Sequence, residues 1–372
     1  MRLGKTEIRL RVLLNYSLLS GLCIYLIITT SLNLATTLYP IIHHIPTQLA
    51  DNTTGCNGHP EYCSRTYDNI SQIGTHDSAF YGIMPSNDQN VDVTMQLNAG
   101  IRFLQAQTHR TAITKQLSMC HTSCAEDDAG PLEGYLITVK QWLDKHPNEV
   151  LTLLLTNGDY LDVGAFDEVF IRSGILKYAY IPSSTASPPP PSRRRRDDPA
   201  SLPSPTPPTT PPPPTTTPPD PSVWPTLQQM ITSSQRLVIF LDYGASPTSV
   251  PYILDEFTHF WETAFDVTTP FFPSCAIDRP STISSTAAEI AAIEQRMYIV
   301  NHYLDTEVLG VAVPDRRDAG RTNAWDGEGG VGGHVGRCEM LHGGKKPRVV
   351  LVDYFDVGGW REVEGRLNGI QW

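Results

Sequence analysis

The stretch EVLTLLLTN, residues 149–157, decides the fold class of this chain. Its apolar residues do not alternate with polar ones, which predicts a strand covered on both faces, as in a parallel sheet. Similar runs occur at 236–243, 297–304 and 348–355, and 100–107 is also strand-like. The sequence therefore predicts several buried parallel strands.

Helical patterns lie between these runs. Residues 132–145 have apolar side chains at Leu132, Leu136, Val139 and Leu143, a helical spacing. Residues 287–295 and 360–367 are also predicted helices. This alternation favours an α/β barrel over an open doubly wound sheet.

Two regions differ from the rest of the chain. Residues 1–50 begin with a net charge of +3 over the first eleven residues, followed by no charged residue from 12 to 50. This pattern fits a cleaved signal peptide or an uncleaved signal anchor. Residues 183–222 hold 16 of the 31 prolines, with Arg193–Arg196 in the middle. Proline lacks an amide donor, so this segment is predicted to be a disordered, polyproline-like insertion.

The remaining 282 of the 372 residues suffice for one barrel or two small domains. Polar residues that follow apolar runs extend from His76 to Asp353, on both sides of the insertion. Residues 51–372 are therefore predicted to form one distorted (β/α) barrel interrupted by the insertion. Without the basic amino terminus the net charge is −14, which excludes nucleic acid as a partner. We expect a monomer.

The cysteines predict an oxidising compartment. Six lie outside the amino-terminal apolar run, and pairing between near neighbours has the lowest loop-closure entropy. We predict the disulfides Cys56–Cys63, Cys120–Cys124 and, by elimination, Cys275–Cys338. A zinc site at Cys120, Cys124 and His121 is the alternative. Glycosylation sequons begin at Asn52 and Asn69. The body is thus predicted to be secreted, or anchored to a membrane on its extracellular or lumenal side.

In a parallel barrel the chemistry lies at the carboxyl ends of the strands. The polar residues at these positions are His76, Asp77, Gln105, Gln107, His121, Asn157, Asp242, His302, Asp305 and Asp353. Two histidines can act as base and acid in one phosphoryl transfer. Gly327, Gly329 and Gly332 match a dinucleotide motif, but no strand precedes them and no helical pattern follows, so they are predicted to form a flexible loop.

The ordered set IGTHDSAF, GIRFLQAQ, MCHTSC, HPNEVLTLLLTNGDY and VVLVDYFDVG resembles the phosphatidylinositol-specific phospholipase C (PI-PLC) X-domain superfamily, in particular its fungal secreted PLC-like phosphodiesterases. The resemblance covers roughly residues 56–372, apart from the insertion and the glycine-rich loop. It implies a distorted TIM barrel that cleaves phosphodiesters.

The resemblance also implies roles. His76 matches the general base, which deprotonates an inositol hydroxyl to give a cyclic phosphate. His121 matches the general acid for the leaving diacylglycerol oxygen. Asp77 matches the polar residue after the base, and Asp353 matches the last-strand aspartate that orients it. Substrate-binding candidates from the strand ends are Gln105, Gln107, Asn157, Asp242 and His302.

The chain departs from the family pattern at the second strand. Gln105 and Gln107 stand where bacterial members have Asp-x-Arg and calcium-dependent members have Glu-x-Asp, and Thr156 replaces a calcium-binding glutamate. No cofactor is therefore predicted, although a divalent metal is not excluded. Arg102 lies an odd number of residues from Gln107, so it points to the opposite face and is predicted to be structural.

Three functions follow from these observations. The first is a metal-independent phosphoric diester hydrolase that acts on a phospholipid or small phosphodiester in lipid metabolism, with possible membrane association through residues 1–50. The second is a weak or inactive secreted glycoprotein that uses the barrel as a binding scaffold. The third is a metal-dependent enzyme of the glycerophosphodiesterase or sphingomyelinase D kind, with Asp77 and Asp242 as contributing carboxylates.

Overall fold

The computed structural model describes residues 55–182, 224–308 and 311–371. The predicted signal segment, the predicted insertion and the sequon at Asn52 lie outside these residues. The described residues belong to one compact unit. Among them, no helix combines the length and apolar character needed to cross a bilayer.

The described residues contain twelve strands. They are β1 (Gln72–Thr75), β2 (Phe103–Arg110), β3 (Leu117–His121), β4 (Asp127–Pro131), β5 (Leu151–Asn157), β6 (Leu237–Leu241), β7 (Ile253–Asp255), β8 (Phe260–Glu262), β9 (Met297–Asn301), β10 (Asp305–Val308), β11 (Val311–Pro314) and β12 (Val349–Val352).

Eight of these strands form a curled parallel sheet in the order β7-β6-β5-β2-β1-β12-β9-β8. Neighbours in this order follow the chain, as in a (β/α) barrel. No ladder joins the end strands β7 and β8 in the described part of the chain, so the barrel has an open seam there. This arrangement confirms the predicted α/β class and the single distorted barrel. The antiparallel strands β3 and β4 extend the sheet from β2, and β10 pairs with β11 separately.

Helices connect and cover the strands. They are α1 (Val93–Ala99), α2 (Leu132–Lys145), α3 (Gly164–Ser173), α4 (Leu227–Thr232), α5 (Glu256–His259), α6 (Ala287–Glu294), α7 (Ala319–Thr322), α8 (Val331–Leu341) and α9 (Trp360–Asn368), with 3₁₀ turns at Pro60–Tyr62, Tyr67–Asn69 and Ile175–Tyr178.

The strand that suggested the fold is buried on both faces. Leu153 and Leu154 point to opposite sides of β5, yet they are 0% and 2% exposed. The predicted helix at 132–145 is α2, with the same bounds, and its apolar positions are all buried. The non-alternating apolar run and the 3.6-residue spacing of apolar residues therefore predicted this strand and this helix correctly.

The glycine-rich region departs from the prediction. A helix, α8, does follow, and Gly332 lies inside it. The glycines of this segment have low helix propensity, so the sequence did not indicate a helix. Burial of Val331, Val335 and Cys338 nevertheless stabilises the helix. A Cβ at Gly332 would lie 2.5 Å from the Trp325 carbonyl oxygen, so only glycine allows this close approach.

The three predicted disulfides are confirmed: Cys56–Cys63, Cys120–Cys124 and Cys275–Cys338. Because the sulfurs of Cys120 and Cys124 are joined to each other, the alternative zinc site with His121 is not supported. Asn69, the second sequon, is exposed at the end of a 3₁₀ turn.

Candidate active site

A cavity of about 630 Å³ opens at the carboxyl end of the parallel strands. Parallel strands end on the same rim of a barrel, so residues distant in sequence meet there. The cavity is lined by seven of the predicted strand-end residues: His76, Gln105, Gln107, His121, Asn157, Asp242 and Asp305. Asp77 and Asp353 contact His76 from behind the cavity wall.

His76 follows β1 directly and is fixed from two sides. Its Nδ1 lies 2.9 Å from Asp353 Oδ1, and its ring stacks on Tyr303 with centroids 3.7 Å apart. Burial lowers the pKa of His76, but the carboxylates of Asp77 and Asp353 outweigh burial and raise the pKa to about 9. The contact with Asp353 leaves Nε2 as the nitrogen available for proton transfer.

Asp77 lies between the two predicted catalytic histidines. Its Oδ2 is 3.5 Å from Nε2 of His76 and 3.4 Å from Nε2 of His121. The two Nε2 atoms are therefore no further apart than the sum of these distances, about 7 Å. Hydrogen bonds of about 3 Å from each nitrogen can reach oxygens on one phosphorus at this spacing. Asp77 has a φ of 39°, which is uncommon for a residue other than glycine.

Gln105 and Gln107 line the cavity, but their side chains are used within the protein. Gln107 Nε2 donates to Asp77 Oδ2 at 2.8 Å, and its Oε1 accepts from the Thr122 amide. Gln105 Oε1 accepts from the Asp77 amide at 2.8 Å, and its Nε2 donates to Thr156. The two glutamines thus hold Asp77 in place, and neither carries a positive charge.

Asn157 and Asp242 meet at the ends of β5 and β6. Asn157 is fully engaged with backbone groups, since Nδ2 donates to the Leu161 and Tyr243 carbonyls and Oδ1 accepts from the Leu161 amide. Asp242 Oδ1 accepts from the Asn157 and Tyr243 amides, and Oδ2 has no partner among the described residues. Burial raises the pKa of Asp242 to about 6. Of this pair, only Asp242 has an atom free for a substrate hydroxyl.

His302 is a correction. It follows β9 as predicted, but its side chain is 0% exposed and points away from the cavity lining. Its neighbour Tyr303 lines the cavity instead, because successive side chains of an extended segment point to opposite sides. The prediction that His302 binds substrate is therefore wrong. The residue of this segment that lines the cavity is the next one along the chain, Tyr303.

Arg279 was missed by sequence reasoning. It lies in the loop between β8 and α6. The sequence analysis selected polar residues at the ends of predicted strands, so it could not select a residue in this loop. Among the described residues that line the cavity, it is the sole lysine or arginine. Its Nε donates to Glu262 Oε2 at 2.8 Å, and its Nη2 contacts the same oxygen. Glu262 and the other carboxylates nearby outweigh burial and raise the pKa of Arg279, so its charge is permanent.

Further carboxylates lie around His76. Asp88 and Asp266 line the cavity without having been predicted from the sequence, and the predicted Asp305 lines it as well. Neither oxygen of Asp88 has a hydrogen-bond partner within the described ranges, and burial raises its pKa well above the ordinary value. Burial also raises the pKa of Asp305 to about 7. Ligand atoms of His76, Asp77 and Asp88 lie within 4.8 Å of one another, a composition and spacing that a divalent cation accepts.

Comparisons with known proteins identify the family of this chain. A family model described as PI-PLC X 1 matches residues 62–188 and 219–368. A relative from Arthroderma benhamiae named PI-PLC X domain-containing protein 1 is 41% identical over 316 residues, covering 85% of this chain and 90% of the relative. A second protein of that fungus, named uncharacterized secreted protein, is 35% identical over 330 residues, covering 86% of this chain and 65% of the relative.

Two of the solved structures that match are bacterial enzymes. Phosphatidylinositol-specific phospholipase C from Listeria monocytogenes has a TM-score of 0.46 at 13% identity, with 88% of this chain and all of that one covered. A mutant of the corresponding Staphylococcus aureus enzyme has a TM-score of 0.48 at 12% identity, with 89% and 99% covered. The family match and the 41% identical relative show that the chain belongs to the PI-PLC X family. Membership of this superfamily supports an enzyme of the phosphodiesterase type.

Proposed function

We propose that this protein is a phosphoric diester hydrolase that cleaves phospholipids, or small phosphodiesters with a similar headgroup, without a metal. One observation carries the proposal: the Nε2 atoms of His76 and His121 flank the same oxygen of Asp77 at the wall of a polar cavity. Two imidazoles at this spacing support base and acid catalysis on a single phosphate.

His76 is the proposed general base. Asp353 binds Nδ1 and so fixes the tautomer in which Nε2 accepts a proton. Nε2 takes the proton of a headgroup hydroxyl, and the hydroxyl oxygen forms a bond to phosphorus. With a pKa of about 9, only a minority of His76 is neutral at pH 7, so kcat/KM is expected to rise with pH towards that value.

His121 is the proposed general acid. As the bond between phosphorus and the glycerol oxygen breaks, protonated Nε2 of His121 gives its proton to that oxygen. The products are an alcohol and a cyclic phosphodiester. Asp77 lies against both rings and stabilises whichever imidazole is protonated at each stage.

Arg279 is proposed to supply the positive charge for the phosphate. Gln105 and Gln107 cannot do so, because they are neutral and engaged with Asp77 and its surroundings. An arginine that lines the same cavity can stabilise charge that develops on the phosphate oxygens, a contribution worth several kcal/mol in the transition state.

The test is hydrolysis of phosphatidylinositol and of a soluble glycerophosphodiester by His76→Ala and His121→Ala. Each variant should lose at least about 10²-fold in kcat/KM, the usual contribution of a general acid or base. His146→Asn is the matched control, because His146 stacks on Trp142 at the end of α2 and does not line the cavity.

Full activity in both alanine variants would refute the assignment. Headgroup binding without turnover in the wild-type protein would favour the binding scaffold instead.

A metal-dependent enzyme is a second candidate, favoured by the Asp88 carboxylate, which lies 3.6 Å from His76 Nδ1 and has no hydrogen-bond partner among the described residues. These residues, rather than Asp242, would hold the cation, and the cation would supply positive charge to the phosphate. Metal analysis and activity after chelation decide between the two candidates. Activity that persists in a metal-free preparation excludes the second.

We also propose secretion. The three disulfides, the exposed sequon at Asn69 and the name of the 35% identical relative support it. Recovery of the protein from the culture medium, followed by endoglycosidase treatment of the wild type and of Asn52→Gln/Asn69→Gln, tests this proposal. A mass shift in the wild type that the double variant lacks is the expected result, and retention of the protein inside the cells would contradict secretion.

A further inference from the structure

Two buried glutamates lie behind Arg279. Glu256 follows β7 directly as the first residue of α5, and Glu262 is the last residue of β8, so the two flank the open seam of the barrel. Both are 0% exposed, and neither lines the cavity. Arg279 contacts Glu262 and does line the cavity. The two glutamates are therefore too deep to touch a substrate, but they can act on one through Arg279.

Glu262 fixes Arg279 through its backbone and its side chain. Its amide donates to the Arg279 carbonyl at 2.8 Å, which joins the loop to the end of β8. Its Oε2 accepts from Arg279 Nε at 2.8 Å and from Asn301 Nδ2 at 3.2 Å, and it also contacts Arg279 Nη2. Burial raises the pKa of Glu262, but the charge of Arg279 and the hydrogen bonds to the carboxylate outweigh burial and lower the pKa. Glu262 is therefore ionised.

Glu256 has no donor of this kind. None of the N–H and O–H groups of the described residues donates to either of its oxygens. Its carboxyl group instead lies at hydrogen-bond distance from that of Glu262, whose Oε1 has no other partner in the described ranges. Ionised carboxylates only accept, so this contact requires a proton on one of the two groups. Because Glu262 is ionised, Glu256 is the acid that donates, as in other carboxyl pairs that share one proton.

The charges around Glu256 agree with this assignment. Burial and the negative charge of Glu262 raise the pKa of Glu256 well above its ordinary value. The other charged groups that face it are Arg279, whose charge lowers the pKa, and Asp242 after β6, whose charge raises it.

The proton on Glu256 matters for the charge that Arg279 offers to a phosphate. With Glu256 neutral, Arg279 and Glu262 form a pair without net charge, whereas with Glu256 ionised the three groups would be negative and would repel a phosphodiester anion. The hydrogen bond from Glu256 also draws negative charge of Glu262 away from Arg279. More of the arginine charge is then available at the cavity.

We propose that Glu256, protonated and hydrogen-bonded to Glu262, is a positioning residue that keeps the Arg279 guanidinium in place and available to the phosphate. The inference rests on the proposed function, because Arg279 is the phosphate cation of that function. A purely structural role of Glu256 predicts a loss of stability alone. A positioning role predicts a loss of rate that depends on Arg279.

The first test measures the proton and needs no activity. Infrared spectra of the wild type and of Glu256→Gln are compared at about pH 7, where an ordinary glutamate is ionised. The wild type should show the carbonyl stretch of a protonated carboxyl group that the variant lacks. Glu362→Gln, at an exposed position of α9, is the control and should lose carboxylate absorption only. An unchanged protonated-carboxyl band in Glu256→Gln overturns the proposal.

The second test is kinetic. Glu256→Leu removes the donor, so kcat should fall by about 10-fold with little change in KM, because the charge on the phosphate oxygens develops in the transition state. Glu256→Gln should restore most of this loss, since its amide N–H donates to Glu262 as the acid does. Glu364→Leu, which replaces a buried glutamate of α9, is the matched control and should leave kcat near that of the wild type.

The double variant Glu256→Leu/Arg279→Met shows whether the effect passes through Arg279. Its kcat should equal that of Arg279→Met, whereas an independent effect of Glu256→Leu would lower kcat by the same factor in both backgrounds. Equal factors overturn the proposal, and so does a wild-type kcat in folded Glu256→Leu. Thermal unfolding checks that each variant folds, and the infrared test decides where Glu256→Leu does not. Absence of hydrolysis by the wild type refutes the proposed function and with it the catalytic role of Glu256, and the infrared band distinguishes this outcome from a wrong protonation state.

Discussion

Buried charged groups have different hydrogen-bond partners at the two ends of the barrel. At the amino end, Arg102 Nε binds Glu149 Oε2 at 2.6 Å, and Arg236 donates to the carbonyls of Leu143 and His146. At the carboxyl end, several carboxylates surround His76, and oxygens of Asp88, Asp242 and Asp353 have no hydrogen-bond partner among the described residues.

The difference separates stability from chemistry. Paired charges at the amino end hold neighbouring strands together, whereas single carboxylate oxygens at the carboxyl end that lack a hydrogen-bond partner in the described ranges are available to a substrate or ion. Substitutions of these carboxylates should therefore change rate with little change in stability. Substitutions at the amino end should do the reverse.

The largest effect is expected for Asp353→Asn. The amide removes the charge that orients His76 and supports its protonated form, so kcat/KM should fall by about 10³–10⁴-fold. Steady-state kinetics measure the fall, and urea unfolding should detect little change. Asp305→Asn is the control, since Asp305 lines the same cavity without a hydrogen bond to His76. Equal losses in both variants would contradict a specific role for Asp353.

The counterpart at the amino end is Arg102→Met. It leaves Glu149 buried without its arginine, so the free energy of unfolding should fall by about 3–5 kcal/mol. Activity of the folded fraction should remain near that of the wild type. Lys140→Met breaks an exposed ion pair with Asp144 and should cost less than about 0.5 kcal/mol. A large loss of kcat in Arg102→Met would contradict the separation of the two ends.

Arg279→Met tests the proposed phosphate cation. Loss of its charge should lower kcat/KM by about 10²–10³-fold, and Arg279→Lys should restore part of that loss. Because Glu262 also loses its partner, thermal unfolding is measured in parallel. Wild-type kinetics in a folded Arg279→Met protein would exclude Arg279 from catalysis.

The smallest effect near pH 5 is expected for Glu364→Gln at the amino end, because the amide keeps an acceptor for the Ile73 N–H. Burial raises the pKa of Glu364 to about 8, so the folded chain retains a proton that the unfolded chain releases above its ordinary value near 4.5. Stability of the wild type should therefore fall as pH rises from about 5 to 8, by on the order of 1 kcal/mol per pH unit.

The glutamine variant lacks this fall, so it should gain on the wild type between pH 5 and pH 8 in urea unfolding. Glu362→Gln, at an exposed position of the same helix, should differ little between the two pH values. A parallel pH dependence in Glu364→Gln and the wild type would rule out this origin.

The sequence by itself determined the α/β class, the helix at 132–145, the disulfide pairs and the strand ends where His76, His121 and Asp353 lie, and it placed Arg102 in a structural role. Strand periodicity, loop-closure entropy and the family motifs depend on local spacing, which the sequence contains. The tertiary structure alone decided that Gln105 and Gln107 hold Asp77, that Tyr303 rather than His302 faces the cavity, and that Arg279 reaches it from a loop. These contacts join segments far apart in the chain, so their geometry depends on how the strands and loops pack together.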